Sequence, residues 1–191
     1  MRKQDKGRNG KLEALLWVDV ETTGVDRDLD ELLEVGMRCT SVDATETYGT
    51  LTRLVKPQCL TLDDFTPVSF SMHCDSGLLP ALLDSDPRQV NRKAVVDAIL
   101  EFLDSLAQRF TLVPAGTNLD FDIDFLRRLD PDIVRRMSYR KLDVTTLRHL
   151  ADWFTDENPG GHSSRHRVRW CIERDISDYR SLYKSITGRT M

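Results

Sequence analysis

The stretch LLWVDVETTG, residues 15–24, places two carboxylates at the end of an apolar run. Side chains two apart in a strand point to the same face of a sheet, so Asp19 and Glu21 are expected to lie side by side. Two adjacent buried carboxylates repel one another and lose hydration, which costs several kcal/mol unless a cation is present. The stretch contains no Lys or Arg, and hard divalent ions such as Mg²⁺ or Mn²⁺ take oxygen ligands. The pattern therefore predicts either a metal site or a strand that emerges into solvent at Asp19, with Gly24 turning the chain.

The composition is that of an ordinary globular chain. The 191 residues are 40% hydrophobic and 30% charged, which predicts a single domain, residues 12–191, behind a disordered basic tail, residues 1–11. No apolar run reaches the length of about 18 residues that a membrane span needs, and the tail lacks the apolar region of a secretory signal. The four cysteines show no paired spacing, which fits a reduced, cytoplasmic protein. The net charge of −4 argues against a long nucleic-acid track but allows a pocket for a very short oligonucleotide.

Apolar spacing and turn residues predict a mixed α/β sheet. Three strands with short connections form an antiparallel meander, and two later strands alternate with helices; the predicted strands are 13–20, 31–40, 46–55, 110–116 and 139–144. Pro67 is expected to break the chain before a helix that begins near Asp75 or Ser76. The other predicted helices cover 88–109, 120–129, 130–137, 145–154 and 166–186. A polar Gly/Pro loop is expected over 155–165.

A second acidic cluster follows the fourth predicted strand. Asp120, Asp122 and Asp124 stand at the start of a helix, where one or two of them would cap its N-terminus and offset its dipole. Open α/β sheets build their sites at such strand ends, which makes the cluster a candidate part of the same metal site. His166 follows a Gly-rich loop, and histidine is the usual side chain for general-base catalysis, so it is either a candidate base or an ordinary surface residue.

These residues resemble the motifs of the DEDD superfamily of exonucleases. WVDVETTG resembles the first motif, in which Asp-x-Glu supplies two metal ligands. TNLDFD resembles the second motif, which points to Asp122 rather than Asp120 or Asp124. HR at 166–167 and DISDYRSLY at 175–183 resemble the third motif and its helix.

Two further segments are similar to oligoribonuclease within that superfamily. They are MHCDSGLL, residues 72–79, and YRKLDVTTLRHLADWF, residues 139–154. All five motifs occur in the family's order and span residues 15–185. The resemblance implies a ribonuclease-H-like mixed five-stranded sheet flanked by helices, a homodimer, and hydrolysis of very short RNA in the 3′→5′ direction to 5′-mononucleotides.

The resemblance also implies the roles of the acidic residues. Asp19, Glu21 and Asp122 would bind two divalent cations, Mg²⁺ or Mn²⁺, and His166 would be the general base. Such a pair of cations stabilises both the attacking and the leaving oxygen of an in-line displacement. On this view cations neutralise the adjacent carboxylates of the first strand.

One position departs from the family's pattern. The fourth family carboxylate falls at Cys171 here, Glu173 lies on a different helix face, and Asp175 lies one turn beyond Cys171 on the same face. Either the helix is displaced by one turn and Asp175 is the ligand, or the fourth oxygen ligand is missing. A soft thiolate is a poor partner for Mg²⁺, so we expect Asp175 to complete the site. The ungapped match of Ile172 and Ile176 to the family's apolar positions favours Cys171 in register.

The resemblance assigns further residues to the substrate, namely Val25, Met72, His73, Ser76, Asn118, Tyr139 and Arg140. Tyr139 and Arg140 would reach into the partner subunit's site and cap the end of a short substrate. The alternatives are that Val25 is plain core, that His73 is a surface residue flanking a helix, and that Tyr139 packs on the last helix. Asp143 is interpreted as an N-cap.

Two alternative functions remain open at this point. A DNA-proofreading or transfer-RNA-trimming exonuclease shares the three superfamily motifs but lacks the two oligoribonuclease segments. A catalytically weakened relative would hold dinucleotides without cutting them, and Cys171 is the feature that favours it.

Overall fold

The computed structural model describes residues 10–154 and 166–187, and its centre is a five-stranded sheet in the order β3-β2-β1-β4-β5. The strands are β1 (Leu12–Thr22), β2 (Leu32–Thr40), β3 (Thr47–Leu54), β4 (Phe110–Gly116) and β5 (Leu142–Asp143). The first three strands pair antiparallel, whereas β4 runs parallel to β1 and β5 runs parallel to β4. The predicted fold class, a mixed α/β sheet with three antiparallel strands and then parallel ones, is confirmed.

Helices cover both faces of this sheet. They are α1 (Pro67–Asp75), α2 (Leu78–Leu83), α3 (Pro87–Val90), α4 (Arg92–Ala107), α5 (Leu119–Leu129), α6 (Pro131–Arg135), α7 (Val144–Phe154) and α8 (Val168–Thr187). Along β1, Leu16 and Val18 belong to the core formed with α4 and α5, whereas Trp17 belongs to the core formed with α7 and α8. Because side chains alternate in a strand, Asp19 and Glu21 continue the row of Trp17 and face α8.

The chain around Pro67 differs from the sequence prediction. Pro67 does not break the chain; it is the first residue of α1, where its missing N–H would have no helical partner in any case. Thr66 precedes it as the N-cap, and the Thr66 side chain accepts a hydrogen bond from the Ser69 N–H at 3.1 Å. The helix therefore ends at Asp75 instead of beginning there, and Gly77, at a φ of 76°, separates it from α2.

Two other predicted elements differ in length. The helix expected over 88–109 is divided at Asn91, whose Oδ1 accepts from the Ala94 N–H at 3.0 Å and so caps α4. The fifth strand is only two residues long, because Tyr139 and Arg140 lie exposed before the ladder with β4 begins. Both differences arise from local capping and exposure that apolar periodicity does not report.

Part of the sequence prediction lies outside the described residues. This applies to residues 1–9 of the expected basic tail and to the expected polar loop over 155–165. Within the part of the chain that is described, no helix is both long enough and apolar enough to cross a membrane.

Candidate active site

Gly36 lets α8 lie close to the carboxylates of β1. It stands opposite Asp19 in the β1–β2 register, and a Cβ at this glycine would lie 2.6 Å from Val168 Cβ and 2.9 Å from Ile172 Cδ1. Because no side chain intervenes, the first turns of α8 pack directly on the strand pair. Cys171, on the same part of α8, therefore reaches the face of the sheet that carries Asp19.

The turn between β4 and α5 brings Asp122 to β1. A Cβ at Gly116 would lie 2.8 Å from the Val18 carbonyl oxygen, so only a glycine allows the two strands to approach this closely at the turn. Asn118 then takes a left-handed φ of 52°, which Asn tolerates better than most residues. The Val20 N–H donates to Asp122 Oδ1 at 2.9 Å. The third carboxylate is thereby fixed to the strand that carries the other two.

The three carboxylates crowd one another inside the protein. Burial, together with the charges of Asp122 and Glu21, raises the pKa of Asp19 well above its ordinary range. Burial raises the pKa of Glu21 to about 7, with Glu34 adding to the rise, and burial also raises the pKa of Asp122. Among the described residues, Asp19 Oδ2 has no hydrogen-bond partner. A crowded group of acids with a spare oxygen fits a divalent cation, which would favour the ionised form of each acid.

Cys171 lies in the same group. Its Sγ and one carboxylate oxygen each from Asp19 and Glu21 all lie within 4.8 Å of one another. The side chain is buried, and burial, followed by the charges of Asp19 and Glu21, raises the pKa of the Cys171 thiol. The residue in the family's fourth-carboxylate position thus faces the cluster.

Asp175 is held in an ion-pair network beside the cluster. Thr117 Oγ1 donates to Asp175 Oδ1 at 2.7 Å, and Arg148 Nη2 donates to the same oxygen at 3.1 Å. Arg148 also pairs with Asp178 at 2.5 Å. The α8 residue whose donor atom groups with those of Asp19 and Glu21 is Cys171. The geometry therefore does not favour the prediction that Asp175 completes the metal site.

His73 lies beneath the cluster. It is fully buried in α1, and its Nε2 lies 2.8 Å from the Thr22 carbonyl oxygen, so Nε2 must be the donor. The other nitrogen, Nδ1, lies 3.9 Å from Glu21 Oε2 and has no hydrogen-bond partner in the described part of the chain. Burial lowers the pKa of His73. The alternative that His73 is a surface residue is wrong, and its ring faces Glu21 instead of an open pocket.

His166 stands at the entrance to α8. The next residue, Arg167, holds Glu34 through Nε at 2.9 Å and Nη2 at 2.6 Å. His166 is half-buried, and its charge contributes to the lowered pKa of His73, so the two imidazoles are close. The Arg167–Glu34 pair thereby anchors the candidate base near the cluster.

The remaining predicted substrate residues fall into two groups. Val25 is 82% exposed, which rules out the alternative that it is core, and Asn118 is exposed while Met72 and Ser76 are half-buried. Val25 follows β1 and Asn118 precedes α5, the two elements that carry the carboxylates, whereas Met72 and Ser76 lie in and just after α1, which carries His73.

The second group, Tyr139 and Arg140, lies far from the cluster in the same chain. Both residues line a cavity of about 400 Å³ with Glu13, near the start of β1. Glu13 and Asp19 are six positions apart on β1, which corresponds to about 20 Å along a strand. Tyr139 is 73% exposed beneath the guanidinium of Arg140, so it does not pack on the last helix.

Sequence reasoning missed the contacts that position α8. An isolated glycine in the run ELLEVGMRCT, here Gly36, indicates a close backbone approach, and Glu34 in the same apolar run indicates a buried partner. Both residues carried a signal that could have been used. The contact of Arg148 with Asp175 carries none, because it joins two helices at positions that no local pattern links.

Two solved exonuclease structures share this fold. The zinc-bound complex of Escherichia coli exonuclease I with single-stranded DNA matches with a TM-score of 0.67 at 16% identity, covering 93% of this chain and 41% of that one. Exonuclease I from Methylocaldum szegediense matches with a TM-score of 0.63 at 15% identity, with 93% and 41% covered. This chain therefore spans about two fifths of the length of those proteins. The likeness defines the class: a ribonuclease-H-like exonuclease fold.

Curated relatives narrow the fold to one family. Oligoribonuclease from Leifsonia xyli is 30% identical over 176 residues, which are 88% of this chain and 83% of the relative. The oligoribonuclease of Arabidopsis thaliana is 25% identical over 193 residues, covering 96% and 86%. No family model matches the chain. The chain belongs to the oligoribonuclease family, and it is accordingly a nuclease of the hydrolase class and a 3′–5′ exonuclease.

Proposed function

We propose that this exonuclease hydrolyses very short RNA, from dinucleotides to a few nucleotides, to 5′-mononucleotides with the help of two Mg²⁺ or Mn²⁺ ions. The observation that carries the proposal is the convergence of Asp19, Glu21 and Asp122 at one end of the sheet. The family membership of the chain supports the same conclusion, because the matched relatives are oligoribonucleases.

The carboxylate cluster fits divalent cations. Asp19 has a buried oxygen without a protein partner among the described residues, and the pKa of each of Asp19, Glu21 and Asp122 is raised by burial. Bound cations supply an activated water and offset the charge on the leaving oxygen. Asp19, Glu21 and Asp122 would hold them, with Asp122 kept in place by the Val20 N–H. Asp175 is left to its pairing with Arg148.

His166 is the proposed general base. Its half-buried imidazole lies near His73, which faces Glu21, and is anchored through the neighbouring Arg167–Glu34 pair. A neutral imidazole accepts a proton near neutral pH, which suits removal of the proton from an attacking water. His73, which is buried, is proposed to orient Glu21 rather than to touch the substrate.

A homodimer would complete the site. Tyr139 and Arg140 lie too far along the sheet to reach the carboxylates of their own chain, yet both are exposed. In a two-fold dimer the same surface on each chain is presented to the other. We therefore propose that these two residues cap the substrate in the partner's site. Such a cap would exclude long strands.

The exposed residues near the cluster are proposed to contact the substrate. Val25 presents an apolar side chain on which a base can rest, and Asn118 presents an amide beside the start of α5. Met72 and Ser76, in and just after α1, would form the opposite wall. All four cysteines are free, which suits a reducing compartment, and we expect the protein to act in the cytoplasm.

The test compares substrates of different length. Full-length protein is incubated with a labelled RNA dinucleotide and with a long single-stranded RNA or DNA, in Mn²⁺ or in EDTA. We expect rapid cleavage of the dinucleotide in Mn²⁺ alone. Asp122→Asn should lower kcat at least about a hundredfold, because it removes several kcal/mol of charge stabilisation. Asp124→Asn on the same helix, where Asp124 pairs with Arg27 and Arg127, is the matched control.

The other outcomes separate the alternatives. Faster cleavage of the long strand would indicate a proofreading or trimming exonuclease. Binding of the dinucleotide without cleavage would indicate the weakened relative, which Cys171 in the cluster favours. Cleavage in EDTA would contradict a metal-dependent mechanism.

A further inference from the structure

Cys171 is set among oxygen donors. Its Sγ and the nearest carboxylate oxygens of Asp19 and Glu21 are mutually within 4.8 Å, and the residue is only 7% exposed. Donors bound to one ion at about 2.0–2.3 Å lie up to about 4.5 Å apart, so small side-chain movements bring these three atoms to a common ion.

Two further observations indicate that this cluster is built for a ligand. Within the described residues, His73 Nδ1 has no hydrogen-bond partner although the side chain is completely buried, and it faces Glu21 at 3.9 Å. The buried Oδ2 of Asp19 likewise has no partner in that part of the chain. Buried polar atoms are normally satisfied, so unpaired atoms on two sides of one cluster require an explanation.

One oxygen of the competing donor, Asp175, is engaged by neighbouring side chains, although its charge still raises the pKa of Asp19 and Asp122. Asp175 Oδ1 accepts from Thr117 and from Arg148, and Arg174 lies 3.3 Å from the same oxygen. Releasing Asp175 toward the cluster would leave the largely buried Arg148 with fewer partners. Cys171 Sγ, in contrast, lies within 4.8 Å of one oxygen each of Asp19 and Glu21.

We infer that Cys171 binds metal together with Asp19 and Glu21, and that this centre prefers a borderline or soft divalent ion such as Zn²⁺, Co²⁺ or Cd²⁺ over Mg²⁺. The inference rests on the proposed function, since it concerns the same site. Thiolates select such ions, whereas carboxylates alone suit Mg²⁺ and Mn²⁺. On binding, the S–H bond breaks, a sulfur–metal bond forms, and the proton passes to solvent.

The experiment follows the metal directly. Full-length protein freed of metal with EDTA is titrated with Co²⁺, because a Co²⁺-bound thiolate gives a near-ultraviolet charge-transfer band that oxygen ligands do not give. We expect a saturable band in the wild type and no band in Cys171→Ser. Cys39→Ala is the control, since Cys39 is also buried but lies in the other core, and it should keep the band. Cys171→Asp should shift the ratio of Zn²⁺ to Mg²⁺ affinity toward Mg²⁺ at least about tenfold. Changes of residues that only surround metal ligands already alter metal affinity by about this much.

A second measurement does not depend on variants. X-ray absorption of the wild-type protein loaded with Zn²⁺ should show one sulfur neighbour at about 2.3 Å. Co²⁺ binding without the band, a band that survives in Cys171→Ser, or only light-atom neighbours around zinc would overturn the inference. If the dinucleotide is still cleaved with Mn²⁺ in that case, the proposed function stands while this inference fails. A band without cleavage under any ion would support the sulfur ligand and reject the proposed function.

Discussion

Arg167 binds Glu34 through two hydrogen bonds, Nε to Oε2 at 2.9 Å and Nη2 to Oε1 at 2.6 Å, directly beside His166. Glu34 is almost fully buried and also accepts from the Val168 N–H at 3.3 Å. One carboxylate in β2 thus fixes the first residues of α8. The position of the candidate base therefore depends on a pair whose Glu34 stands opposite Glu21 in the β1–β2 register.

Glu34→Gln is expected to weaken both the fold and the reaction. The free energy of unfolding should fall by about 1–3 kcal/mol, less than for a fully buried pair because Arg167 is 26% exposed on its side chain. The kcat should fall as His166 loses its anchor. Urea unfolding and dinucleotide turnover check the two parts.

Glu173→Gln provides the control for that prediction. Glu173 pairs with Arg38 and Arg169 on the exposed side of α8, so its loss should cost under about 1 kcal/mol and leave kcat unchanged. Equal effects of the two substitutions would mean that Glu34 has no special role in positioning the base.

The carboxylate pair predicts an unusual dependence of stability on pH in EDTA. Burial raises the pKa of Glu21 from 4.5 to about 7. At this group the folded protein binds more protons than the unfolded chain between these values, so the contribution of Glu21 to stability is fully present below pH 4.5 and is lost as the pH rises to about 7. The shift corresponds to a loss of about 3 kcal/mol.

Glu21→Gln isolates this effect. The difference in unfolding free energy between the variant and the wild type should grow in favour of the variant from pH 4.5 to about 7. Burial lowers the pKa of His73, so this residue makes stability fall as the pH drops below the ordinary pKa of histidine. His73 is present in both proteins, so its effect is common to them. Saturating Mn²⁺ should reverse the order of stability at neutral pH. A constant difference across the range would contradict the assigned pKa.

The sequence predicted the parts of the site that depend on local periodicity. Asp19 and Glu21 share a face because β1 is a strand, and Asp122 meets them because α5 starts where β4 ends. The sequence did not predict which residue of α8 faces these carboxylates. That residue is determined by how α8 packs on the sheet at Gly36. Helical spacing alone makes Cys171 and Asp175 equivalent.

Single capping contacts also set the helix boundaries that the sequence analysis predicted incorrectly. Pro67 was interpreted as a break, yet with Thr66 as N-cap it starts α1, and this puts His73 at the end of that helix beneath Glu21. The sequence placed His73 in a motif but could not show that it is buried, because burial is a property of the packed structure.

Mixing two inactive variants tests whether Tyr139 and Arg140 act across a dimer. Arg140→Ala should lower dinucleotide turnover while changing stability by less than about 0.5 kcal/mol, because the side chain is exposed. Asp19→Asn should also be inactive. In a mixed dimer, the Asp19 of the first variant and the Arg140 of the second form one intact site, so subunit exchange should restore about a quarter of wild-type activity.

The same mixture distinguishes the alternatives. Residues that act within their own chain would give no recovery, whatever the ratio of the two proteins. A mixture of Asp19→Asn with Asp122→Asn is the control, since both changes fall in the same cluster and no mixed dimer contains an intact site. Sedimentation at the assay concentration should show a dimer for every variant.

Asp175→Asn separates a structural role from a metal-binding one. Asp175 accepts from Thr117 and Arg148, so the amide should leave the largely buried Arg148 underpaired and destabilise the protein by about 1–3 kcal/mol. Because Asp175 Oδ1 is already bound by Thr117 and Arg148, Mn²⁺ affinity should change less than about threefold, whereas Asp122→Asn should lower it at least about tenfold. Calorimetric Mn²⁺ titration beside urea unfolding measures both quantities. Loss of Mn²⁺ affinity in Asp175→Asn with unchanged stability would instead make Asp175 the fourth ligand and place Cys171 outside the metal centre.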